Sequence, residues 1–65
     1  MIKLDMDPIR KKVLLLSMLY VAPTIGKKPT LDQLEKYATN EGFFKLPERE
    51  LDLRILIRKK ALLEA

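Results

Sequence analysis

The sequence predicts an all-α fold, a compact three-helix bundle, from three observations. Helix punctuation recurs three times, apolar residues between the marks fall at helical spacing, and Pro23 and Gly42 stand where helices should stop.

Asp7-Pro8 opens the first helix, since Asp7 can accept from a free first-turn amide and Pro8 occupies a position that needs none. This helix is expected to run to about Val21, with Pro23 forbidding its continuation. Pro23 to Pro29 then form a loop holding Gly26 and two lysines. Thr30 starts the second helix, and Gln33 three residues later completes a capping box. Leu31, Leu34, Tyr37 and Ala38 give it one apolar stripe, Gly42 ends it in a left-handed turn, and Phe43 follows as a hydrophobic latch. Pro47 opens the third helix, with Glu48 and Glu50 near its positive end, and this helix should reach about Leu63. Leu51 to Arg58 nearly alternate, which is also a strand pattern. The long flanks of good helix formers decide for a helix.

Sixty-five residues make one domain, with a thin stability margin. Neither cysteine nor histidine is present to supply a disulfide or the usual zinc ligands. Helix packing, a partner, or both must therefore hold the fold. The apolar run from Val13 to Ala22 is too short to span a bilayer. Although it follows Arg10-Lys11-Lys12, Asp5, Asp7 and Pro23 argue against a signal peptide. The expectation is a cytoplasmic protein without membrane association. Its abundant Lys, Arg, Glu and Leu and scarce Asn and Gln resemble thermophile usage.

Catalysis is not expected, and neither is a cofactor or a metal. Ser17 is the only serine, it lies in an apolar helix, and no general base stands within a turn of it. The carboxylate pairs Glu48/Asp52 and Asp5/Asp7 sit at helix starts, where capping and dipole roles are the usual ones. Two glycines do not make a phosphate-binding loop.

The strongest functional signal is an excess of apolar surface. On a wheel of about 100° per residue, the third helix carries Leu51, Ile55 and Leu62 on one side and Leu53, Leu56, Ile57 and Leu63 on the other. The first helix is apolar around most of its circumference. A surface helix needs one such stripe, and the surplus implies an interaction surface. The alternative is that Phe43, Phe44, Ile25 and the segment Met1 to Met6 fold over these faces. The expected protein interface is Leu51, Ile55 and Leu62, with Phe43 and Phe44 as aromatic anchors.

The net charge of +4 and a pI near 9.6 point weakly to an acidic partner such as nucleic acid. In an up-down-up bundle, Lys27, Lys28, Arg58, Lys59 and Lys60 gather at one pole, a candidate contact to a phosphate backbone. The free amides at the start of the second helix would add to it unless Thr30 satisfies them. The plain reading is that Arg58 to Lys60 complement the helix C-terminus. Helices two and three also follow in helix-turn-helix order, but Glu48, Glu50 and Asp52 would be repelled by DNA in a recognition helix. Arg10-Lys11-Lys12 oppose the dipole of the first helix, offset either by Asp5 and Asp7 or by an acidic partner.

The sequence thus points to an accessory or stabilising subunit that binds a larger protein, within a nucleic-acid machine such as a polymerase or ribonucleoprotein. The alternatives are a dimeric DNA-binding regulator and a homo-oligomer that buries the same stripes against copies of itself.

Overall fold

A computed structural model describes residues 7–64; the sequence expectations placed on Met1 to Met6, including the role of Asp5, lie outside the described residues. Three helices, α1 (Pro8–Ile25), α2 (Leu31–Glu41) and α3 (Glu48–Glu64), form a compact three-helix bundle, with one 3-10 turn at Phe43–Lys45. The described residues contain no strand, so the near-alternation in Leu51 to Arg58 is resolved as helix.

The caps fall where side-chain chemistry requires them. The Asp7 carboxylate accepts from the Ile9 amide at 2.8 Å. Thr30 Oγ1 accepts from the Gln33 amide at 3.2 Å, while Gln33 Oε1 accepts from the Thr30 amide at 2.8 Å, a reciprocal capping box. Gly42 closes α2 at φ 74°, a left-handed conformation that a side chain would strain.

Pro23 departs from expectation, because it lies inside α1 and the helix continues to Gly26 at φ 69°. A proline in a helix removes the amide that would bond the carbonyl four residues earlier, here that of Leu19. The Nε–H of Arg58 on α3 donates to the Leu19 carbonyl oxygen at 3.3 Å. The same guanidinium lies 4.3 Å from the centre of the Tyr20 ring, within cation–π range. A side chain from another helix thus replaces the lost backbone bond, and α1 keeps its last turn.

Both α2 and α3 pack principally on α1. The ion pairs of Lys12 with Glu48 and Asp52, and the bond from Arg58 to Leu19, match the start of α1 to the start of α3 and its later turns to later turns. The two helices therefore run side by side in the same direction. Val13, Leu16, Ala38, Phe43, Leu51 and Ile55 form the core, flanked by Leu19, Tyr20, Tyr37 and Leu46. Tyr20, Tyr37 and Phe43 make a three-ring cluster with centroids 5.9 to 6.2 Å apart. Ser17 is fully buried and its hydroxyl donates to the Val13 carbonyl at 2.9 Å, so it is satisfied within its own helix.

Candidate protein-docking face

α3 has two apolar faces, and the fold decides between them. Leu51 is fully buried, Ile55 is buried and Leu62 is half-buried. Their line also contains Arg58, whose reach to Leu19 and Tyr20 requires this face to meet α1. Glu48 and Asp52 run along one edge of the same face, where they hold Lys12 at 2.6 and 2.9 Å. Polar partners as well as burial thus fix the rotation of α3.

The expected interface is corrected accordingly. Leu51 and Ile55 belong to the core and face inward, as does Phe43 within the aromatic cluster. Of the expected anchors, Phe44 is the one on the surface, at 42% exposure. The outward stripe is Leu53, Leu56, Ile57 and Leu63, at 51%, 66%, 59% and 87% exposure. These residues were legible as a stripe; what sequence reasoning missed was that Arg58 and the Glu48/Asp52 pair mark the opposite side as the buried one.

Charge around this face is partly spoken for. Glu50 accepts from Arg54 Nε at 3.0 Å, and Glu48 and Asp52 share Lys12. Hydrogen bonds to Glu48 and then Asp52, outweighing a small desolvation, raise the Lys12 pKa above its ordinary 10.5. Two of the three unfavourable cations at the start of α1, Lys12 and Arg10, thereby acquire partners on other helices, since Arg10 pairs with Glu35 on α2. Glu48 and Asp52 serve as an ion-pair fork rather than as a free carboxylate dyad. Among the described residues, no group of three His, Cys, Asp or Glu side chains could hold a metal ion.

Arg49, Lys59 and Lys60 are exposed and form no ion pair among the described residues. Lys27 and Lys28 are exposed in the α1–α2 loop. The shared direction of α1 and α3 puts that loop at the same end of the molecule as Lys59 and Lys60. Arg58 is instead half-buried and occupied at the Pro23 site. The capping box takes up the Gln33 amide, so the start of α2 is a weaker anion site than an uncapped helix would offer.

Comparison with protein-family models, with curated proteins and with solved structures finds no significant match to this chain.

Chemically, the outer face of α3 offers hydrophobic burial with cations in and beside it. Among the described residues, no helix is long and apolar enough to cross a membrane.

Proposed function

We propose that this chain is a non-catalytic accessory or stabilising subunit that docks on a larger protein through the outer face of α3. The supporting observation is the exposure of Leu53, Leu56, Ile57 and Leu63 along one side of a helix whose opposite side already completes the core. A helix that needed only to fold would carry polar residues there. Docking of an apolar helix face into a hydrophobic groove is a common recognition mode, and Phe44 extends the surface at the α3 entry. The basic end favours a partner within a nucleic-acid-processing assembly, where Lys27, Lys28, Lys59 and Lys60 would lie against phosphates.

The test is affinity capture from the source cell, followed by reconstitution with the purified partner. A stoichiometric partner should bind the native chain and be lost with Leu53→Glu plus Leu56→Glu, while helix content and melting stay near native. Retained binding would move the docking face elsewhere.

The second reading, a DNA-binding regulator, is favoured by the exposed lysines Lys27, Lys28, Lys59 and Lys60 at one end, which form no ion pair among the described residues. It predicts a salt-sensitive shift of a DNA probe by the isolated chain, abolished by Lys59→Glu plus Lys60→Glu. The acidic first turn of α3 and its apolar outer face weigh against α3 as a groove reader.

A further inference from the structure

We infer that the partner enters as one amphipathic helix, acidic in its first turn, laid along the groove between α1 and α3 so that the bundle gains a fourth member. The inference rests on the docking reading and deepens it, by giving the apolar face of α3 a second wall and its occupant a chemistry.

The second wall follows from where α2 sits. Arg10 pairs with Glu35 and Tyr20 stacks on Tyr37, so these two residues mark the side of α1 that α2 covers. Each lies about 140° around the helix from Leu15, in opposite senses, which puts Leu15 on the side that α2 leaves open. Leu15 and Ile25 are exposed there, and Met18 and Ala22 are half-buried. The Lys12 bridge to Asp52 ties this side of α1 to one edge of α3. That edge continues through Leu56, Lys59 and Leu63, all exposed. Because Lys12 meets Asp52 and Arg58 meets Leu19, Leu56 comes level between Leu15 and Met18, and Leu63 between Ala22 and Ile25. The result is an apolar valley of about 20 Å with one helix on either side.

Spacing fits a helix into it. Leu15, Met18, Ala22 and Ile25 recur at intervals of three and four, as do Asp52, Leu56, Lys59 and Leu63. Two such rows side by side receive the side chains of a third helix, in the geometry of a four-helix bundle.

Charge chooses the occupant. The carboxylates at the head of the valley, Glu48 and Asp52, are held by Lys12 within the chain. At its far end Lys27, Lys28, Lys59 and Lys60 outnumber the nearby acids Asp32 and Glu64. Both neighbouring helices also end there, so their carbonyl ends favour an incoming helix N-terminus. Carboxylates in the first turn of a docked helix satisfy its own dipole and these lysines together. A second copy is a poorer occupant, because its exposed stripe brings Arg49, Lys59 and Lys60, cations onto cations.

Two synthetic helical peptides with identical leucine heptads test this, one with three glutamates in its first turn and the other with three lysines. Titrated against the full chain and read by fluorescence anisotropy, the glutamate peptide should bind at least roughly tenfold tighter. Leu15→Glu and Leu56→Glu should each weaken it at least roughly tenfold with helix content unchanged, whereas Asn40→Glu on α2 should not. Lys59→Glu plus Lys60→Glu should reverse the preference between the peptides. Equal binding of both peptides, indifference to Leu15→Glu, or no binding because a second copy or the chain's own residues 1–6 hold the valley would overturn the inference. Capture of a larger partner that is lost with Leu53→Glu plus Leu56→Glu but indifferent to Leu15→Glu would overturn the groove and leave the docking reading standing. Selective peptide binding by a chain that captures no larger protein would overturn the docking reading and leave the groove.

Discussion

The two faces of α3 are nearly alike in composition and opposite in fate. The inward line is Leu51, Ile55, Arg58 and Leu62; the outward one is Leu53, Leu56, Lys60 and Leu63, with Ile57 beside it. Each has three aliphatic residues and a cation at helical spacing, yet Leu51 is fully buried while Leu63 is 87% exposed. Hydrophobicity therefore does not choose the buried side. The difference lies in what the cations can do: Arg58 finds the carbonyl orphaned by Pro23 and the face of Tyr20, whereas Lys60 finds no carboxylate among the described residues. A polar group with a specific partner decides an orientation that apolar groups leave nearly degenerate.

The largest expected effect contrasts the two faces directly. Leu51→Ala should destabilise the isolated chain by about 2–5 kcal/mol, because it removes core atoms and leaves a cavity. Leu56→Ala should change the isolated monomer by less than about 0.5 kcal/mol. Denaturant melts at low protein concentration measure both; equal effects would mean that the outer face is also packed.

Next comes Arg58→Ala, which should cost about 1–3 kcal/mol by leaving the Leu19 carbonyl without its donor. The cost should shrink in a Pro23→Ala background, where the restored amide bonds that carbonyl. A double-mutant cycle reads the coupling, and additive effects would separate Arg58 from the proline break. Smaller still, Thr30→Ala should cost about 1 kcal/mol by breaking the capping box. It affects α2 and leaves the contrast within α3 untouched.

The pH response should be alkaline. Tyr37 has its pKa raised above the ordinary 10.0, first by burial and then by Glu41 and Tyr20, and Lys12 has its pKa raised above 10.5 by Glu48 and Asp52. In both cases the folded state holds its proton more tightly than the unfolded chain. Their contribution is complete below the unfolded values and is lost as pH rises from about 10 through the raised folded values. Thermal melts across that window should show a declining midpoint, with a smaller decline in Tyr37→Phe; an undiminished decline would remove Tyr37 as a contributor.

Much of this protein was local and therefore legible in the sequence. The caps at Asp7, Thr30 and Gly42 involve atoms within a few residues of one another, so local spacing was enough to place them. The apolar excess on α3 was equally visible, since it depends on helical period alone. What failed required contacts distant in the chain. Pro23 stays in α1 because Arg58, thirty-nine positions from Leu19, supplies the missing bond. The sequence groups Arg58 with the basic pole because it shows a residue's charge and not its neighbour. The sequence alone offers Leu51, Ile55 and Phe43 to a partner, because two stripes of similar hydrophobicity give no local reason to prefer either.

The sequence by itself determined three helices, where they begin, and that more apolar surface exists than one small bundle needs. Only the tertiary structure decided which side of α3 is core. That choice depends on directional interactions among Lys12, Glu48, Asp52, Leu19 and Arg58, residues far apart in the chain that meet only when the helices pack. Burial of apolar area is non-directional and sets how much surface must be covered; hydrogen bonds and ion pairs depend on geometry and set which surface it is.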